Sequence, residues 1–368
     1  MKLEQAEICV LRLPLLHPFQ TSNQINYDKL FILLTLRSGG LEGYGENAMD
    51  EIPNWHEETV ANAHALLRDQ FLPAVLGKEI HTPNELMQHL AQFKGNRMAK
   101  ATLEMAFWDV SAKQLGVPLT HLLGGTRAAI PVGVGLGIQK SLEAILEQVE
   151  RHVIEGYKRI KLKIKPGWDL HVLEAVRERL PKIRLTADAN TAYTLSDLQT
   201  LRAMDEFKLD PLEQPLAYDD IHDHAKLQGL MQTRICPDEG IQDASFARKA
   251  LESDATRVIN IKAGRVGGRL ESRRVHDVAQ VFGVPVWCGG MLEAGVGRAQ
   301  NVHLASLENF SKPGDTSSSS RYWKQDIINE ALETSEGMMT VPTGAGVGVT
   351  LNHKFIETIT QSAEVIRL

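Results

Sequence analysis

The chain has 368 residues, 43% of them hydrophobic and 23% charged, with a formal net charge of −6. That length exceeds a lone (β/α) barrel and supplies a large core, while the slight acidity gives no reason to expect nucleic acid or an anionic membrane as a partner. Three scattered cysteines, Cys9, Cys236 and Cys288, point to neither a disulfide framework nor a zinc motif, and fit a reducing, cytoplasmic setting.

The N-terminal MKLEQAEICVLRLPL interleaves charges with apolar residues, so it reads as a strand and not as a signal peptide or membrane span. A loop is expected at 16–27, then a hairpin of DKLFILLTLRSG and LEGYGENA turning at Gly39-Gly40. Helical patterning follows over 56–115, which makes residues 1–125 an α+β domain joined to the rest by GVPLTHLLGGT at 116–126. IPVGVGLGI at 130–138 reads as the first strand of a barrel spanning 126–325, and residues 326–368 are expected to pack back on the first domain. GVGLGI and TGAGVGVT lack the spacing and the following residues of a nucleotide-binding loop; TGAGVGVT reads as a turn, and the small residues on the first strand leave room for a substrate.

Within the barrel region, Lys163, Asp188, Glu213, Asp238 and Lys262 are separated by 25, 25, 25 and 24 residues, and each lies at the end of a short strand-like run. One strand, one helix and two loops consume about that length when roughly 200 residues make eight units, so all five are expected at one mouth. In RIKLKI at 159–164, Ile160, Leu162 and Ile164 face the outer helices while Lys161 and Lys163 face the axis. Strands two and six stand opposite each other, so Lys163 and Lys262 approach a bound molecule from two sides, with Asp188, Glu213 and Asp238 on the wall between. Three clustered carboxylates repel unless a cation intervenes, and an oxygen-only ligand set favours Mg²⁺, then Mn²⁺. A metal on a substrate carboxylate can stabilise the enediolate left when an α-proton departs to a lysine. Lys161 is expected either to depress the pKa of Lys163 or to stay charged and hold the substrate carboxylate.

The ordered set RIKLKIKPGWD, TADAN, LEQP, PDEG, NIKAGRVGG, CGGMLEAGVGRAQN and PGDTSSSSRYW resembles the enolase superfamily. Within its muconate-lactonizing-enzyme branch, the likeness is to the o-succinylbenzoate synthase / N-succinylamino acid racemase (N-acylamino acid racemase) family, over nearly the whole chain. The resemblance implies a (β/α)7β TIM-like barrel of the α/β class with an N-terminal α+β capping domain. It makes Asp188, Glu213 and Asp238 the Mg²⁺ ligands, with Asn190 and Glu239 near them, and Lys163 and Lys262 the acid/base pair.

It further implies dehydration of 2-succinyl-6-hydroxy-2,4-cyclohexadiene-1-carboxylate for menaquinone biosynthesis, in which Lys163 takes the α-proton and Lys262 acts by its charge. In racemisation each lysine would serve one enantiomer. Arg265 matches relatives with racemase activity, whereas Gly135 stands where some relatives carry a serine near the succinyl group. The cap is expected to close with its 16–27 loop and the region near 50–60, Phe19 and Ile52 being the contacts, while backbone N–H groups at Gly290 and Met291 would bind a distal carboxylate or carbonyl. A small-molecule carboxylate substrate and a homo-oligomer are expected. The competing readings are a dipeptide epimerase, for which PGDTSSSS offers only Asp315 where an acidic pair is expected, a muconate cycloisomerase, and a binding barrel without catalysis.

Overall fold

The computed structural model describes residues 1–367. Strands Gln5–Gln20, Ile25–Ser38 and Leu41–Asn47 form an antiparallel sheet to which the C-terminal strand Thr360–Arg367 adds at the outer edge of the first. The predicted two-residue turn holds: Gly39 and Gly40 have φ of 57° and 77°, which glycine reaches without steric cost. The segment expected as a loop at 16–27 is strand up to Gln20 and again from Ile25. After a register shift past Pro14, Phe19 and Gln20 pair with Asn26 and Ile25, so only 21–24 turn.

The long helix Arg97–Leu115 is buried on almost every side because it lies between this sheet and the barrel. The sheet approaches it closely: a Cβ on Gly43 or Gly45 would sit 2.2 Å or 1.9 Å from a helix carbonyl oxygen. Buried carboxylates then tie cap to barrel. Glu104 on this helix accepts from the amides of Arg269 and Leu270 at 2.8 Å, and Glu46 on the third strand from those of Ala294 and Gly297 at 2.6 and 2.7 Å. Each satisfies orphan N–H groups at the start of a barrel helix, Arg269–Val281 or Gly295–Ala305.

Barrel strands Val134–Leu136, Ile160–Lys163, Leu185–Asp188, Leu212–Glu213 and Ile235–Cys236 pair in parallel and in chain order, and Ile259–Ile261 pairs with Val286–Cys288. Backbone hydrogen bonds carry the ring across the gaps: the Arg257 amide to the Ile235 carbonyl, those of Lys312 and Asp315 to Val286 and Cys288, and that of Gly133 to Gly314. The eighth position is therefore the 312–315 segment, and helices follow the first seven strands, a (β/α)7β barrel. Its first strand is shorter than the predicted 130–138. Ala129–Pro131 instead pairs antiparallel with Met338–Thr340, outside the barrel ladder.

Candidate active site

The strand register brings the predicted residues to one level. Lys163 is directly paired with Asp188, and Asp188 with Glu213, so alternation on the pleat aims all three at the same end of the barrel. Ile160, Leu162 and Ile164 pack outward in the core as their alternation requires. Asp238 follows the fifth strand after Pro237, and Lys262 follows the sixth directly. The Lys163 ammonium donates to Asp188 at 2.6 Å and to the Asn190 amide oxygen at 2.7 Å, and Lys262 donates to Asp238 at 2.6 Å. Arg265 forms a second ion pair with Asp238 from beneath. Asn190 also donates to Glu239 at 3.2 Å.

Lys163, Lys262, Lys161, Asn190, Gly135, Gly290, Met291 and Phe19 all line one cavity under the cap. The three acids, Arg265 and Glu239 do not line it; they are buried behind the ammonium groups. Ile52, expected as a cap contact, is 56% exposed and lies outside the cavity, because its loop turns Asp50 and Trp55 inward instead. Of the expected backbone anion site, the Met291 amide is taken, donating to Glu293 at 2.8 Å, and the neighbouring Gly289 amide donates to Ile261, while Gly290 lines the cavity. Gly135 leaves open space, since a Cβ there would meet only Lys161 Cε at 3.6 Å.

Burial and then the charge of Asp188 push Glu213 up to about 8, while burial and Asp238 push Glu239 up to about 7. Asp188 goes the other way: burial opposes ionisation, yet Lys163 and Lys161 hold it well below the usual carboxylate range. Burial likewise opposes the charge on Lys262, and Asp238 and Glu239 outweigh it. Both roles open to Lys161 need it charged, and its surroundings keep it so. It contacts Asp315 at 2.6 Å, Glu213 at 3.0 Å and Asp188 at 3.2 Å, and these raise its pKa far above the ordinary lysine value against the cost of burial.

Among the described residues no three His, Cys, Asp or Glu side chains converge into a finished metal cage, because lysine ammonium groups span the gaps between the carboxylates. The donor chemistry nevertheless fits a hard divalent cation: three wholly buried carboxylates, one held against ionisation by burial and then by another, with only oxygen donors among them. Such a cation would take over the neutralisation that Lys163 and Lys262 now supply.

Several side chains at the site were not singled out as functional by sequence reasoning. Trp55 donates to Glu239 at 2.7 Å and lays its ring 4.4 Å from the Lys262 nitrogen. Asp315, buried and paired with both Lys161 and Arg159, follows the same strand-end rule as the other acids and could have been found by it. Lys29, bonded to Asp50 at 2.5 Å, and Arg298 reach the cavity from elements with no periodic signal.

The site is thus the capped C-terminal mouth of a (β/α)7β barrel, with two lysines lining one cavity and three acids buried beside them. The mandelate racemase / muconate lactonizing enzyme N-terminal domain matches residues 5–124, and the enolase C-terminal domain-like family matches residues 144–355. The chain belongs to the enolase superfamily. It is similar to an N-succinylamino acid racemase of Thermus thermophilus, 56% identical with 98% of each chain covered. It is also similar to an o-succinylbenzoate synthase of Geobacillus kaustophilus, 48% identical over 96% of this chain and 95% of that one. A crystal structure of an enolase superfamily member from Listeria innocua superposes with a TM-score of 0.96 at 40% identity, covering 100% of this chain and 99% of that one. Enzymes of this family generally use a divalent metal.

Proposed function

We propose that the protein is an o-succinylbenzoate synthase, dehydrating 2-succinyl-6-hydroxy-2,4-cyclohexadiene-1-carboxylate for menaquinone biosynthesis, that also racemises N-succinylamino acids. The observation that carries this reading is the presence of Lys163 and Lys262, from the second strand and just beyond the sixth, in one cavity beside three buried acids. In it, Asp188, Glu213 and Asp238 hold the divalent cation, Mg²⁺. Bound there, the cation supplies Lewis acidity to a substrate carboxylate and a charge that favours the neutral form of the neighbouring lysines.

Neutral Lys163 removes the α-proton of the synthase substrate. Lys262, still charged, steadies the resulting anion, and the departing hydroxide takes a proton from Lys163 and leaves as water, so the net change is loss of one water. In racemisation one lysine takes the α-proton and the other returns one to the opposite face. Asn190 orients Lys163, Arg265 and Glu239 orient Asp238 and Lys262, and the cap excludes water by resting Ser22 and Asn23 on the Asn190 carbonyl.

Residues 1–125 then act as cap, 126–325 as catalytic barrel, and 326–368 as a return to the cap. Three free cysteines suit a cytoplasmic enzyme. A homo-oligomer remains the expected assembly. A dipeptide epimerase is disfavoured because Asp315 is already neutralised by Lys161 and Arg159, leaving no carboxylate there for a substrate ammonium.

The test is to assay purified protein with both substrates, then Lys163→Ala and Lys262→Ala. Each variant is expected to stop racemisation while one enantiomer still exchanges its α-proton with solvent deuterium. Racemisation by the Lys262 variant at the rate of the unmodified enzyme would defeat the two-base scheme; absence of turnover on either substrate class would defeat the assignment.

A further inference from the structure

A second cavity, of about 980 Å³, lies between the facing ends of the first two cap strands, the barrel helix Leu142–Ile154 and residues 318–334. It shares only Phe19 and Tyr322 with the active-site cavity and contains none of the lysines or acids of the proton chemistry. Lys140, Arg151 and Arg321 line it, and none of them stands in an ion pair among the described residues. The half-buried Arg321 donates to the Tyr322 hydroxyl and the Gly135 carbonyl, each at 2.8 Å, which leaves further N–H donors of its fork free and its charge unbalanced. The two carboxylates on the lining are committed elsewhere. Glu333 accepts from the Ser320 amide and hydroxyl at 3.0 and 2.7 Å, and Glu155 is bonded to His152 Nδ1 at 2.7 Å.

His152 completes the lining and is 3% exposed. Burial, and then the charge of Arg321, hold its pKa down at about 4, so the ring is neutral. A carboxylate can only accept, so Nδ1 carries the ring proton and Nε2 is a bare acceptor. That buried nitrogen has no partner. Phe19, Tyr27, Tyr157 and Tyr322 add aromatic surface to the same wall. An orphaned buried acceptor is costly, unbalanced guanidinium charge attracts an anion, and aromatic surface favours a flat apolar body. One ligand meets all three demands. We propose that this outer cavity is a second, non-catalytic binding site for an aromatic carboxylate that bears a hydroxyl group. The carboxylate lies against Arg321 and Arg151, the hydroxyl donates to His152 Nε2, and the ring packs among the aromatic side chains.

The test is calorimetric titration of the Mg²⁺-loaded protein with 3- and 4-hydroxybenzoate, benzoate and phenol. None of these has a proton on a saturated α-carbon, so binding is read without turnover. The better hydroxybenzoate is expected to bind about 10-fold more tightly than benzoate, as one satisfied buried hydrogen bond implies, and phenol more weakly than either. His152→Phe should erase the preference over benzoate, and Arg321→Met should weaken both carboxylates about 10- to 100-fold. Lys262→Ala, in the active-site cavity, should leave both affinities unchanged. His152 is buried and its variant can fail to fold; Arg151 is exposed, and Arg151→Met should still weaken the carboxylates while sparing phenol. Equal binding of hydroxybenzoates and benzoate by the unmodified protein would overturn the proposal, as would no binding at all. Carboxylate affinity that survives both arginine variants, or that falls in Lys262→Ala, would place the probes outside this cavity and overturn it too.

Discussion

Replacing Gly289 by alanine perturbs Lys262 without touching its chemistry. The new Cβ would stand 2.8 Å from Lys262 Cε and 2.3 Å from the Asn260 side-chain oxygen. Non-bonded carbon atoms settle at about 3.5–4.0 Å, so the lysine must retreat by about 1 Å. Asn260 cannot absorb the whole strain, since its amide nitrogen is tied to Glu213 at 2.8 Å and the residue is wholly buried. A misplacement of about 1 Å costs on the order of 10²-fold in rate, while overpacking of this kind costs about 1–3 kcal/mol of stability. We therefore expect Gly289→Ala to remain folded, with a modestly lowered thermal midpoint by circular dichroism. Net racemisation, followed by polarimetry from either enantiomer, should fall about 100-fold. Deuterium exchange at the face served by Lys163 should survive far better. Unchanged racemisation in a variant whose melting curve is also unchanged would refute the idea that Lys262 is held in a working position by its neighbours.

Dialysis against chelator should abolish turnover and added Mg²⁺ restore it, whereas Asp188→Asn should stay inactive at any metal concentration; activity in metal-stripped protein would contradict the ligand assignment. Trp55→Phe keeps a ring over Lys262 but loses the hydrogen bond to Glu239, so its kcat should fall less than that of Trp55→Ala; equal losses would assign the effect to the indole N–H alone. Glu104→Ala strips the acceptor from the Arg269 and Leu270 amides and leaves the buried Arg269 guanidinium without its nearby counter-charge. Each buried amide left without an acceptor costs about 1–3 kcal/mol, which should appear as a clear drop in the urea midpoint. A midpoint equal to that of the parent would mean that cap and barrel do not depend on this contact.

The wall that carries the lysines and the three acids could be read from the chain because its signals are local and repeat. A strand alternates its faces every second residue, so Lys161 and Lys163 had to share a side, and a regular β/α repeat carried Asp188, Glu213, Asp238 and Lys262 to the same end. The turn at Gly39-Gly40 was legible for a similar reason, being set by the backbone freedom of two adjacent residues. Trp55, Ile52 and the 16–20 stretch were not, because the direction of a loop residue depends on what the cap meets when it docks. Glu46 and Glu104 carry no mark that distinguishes them from other helix or strand acids; they become helix caps only when amides some 165 to 251 residues away are brought against them. Arg321 is the sharpest case. The sequence by itself determined the barrel repeat and the level at which the lysines and acids stand, through periodicity. Only the tertiary structure decided which charges find partners, since neutralisation is a property of assembled neighbours and not of spacing along a chain.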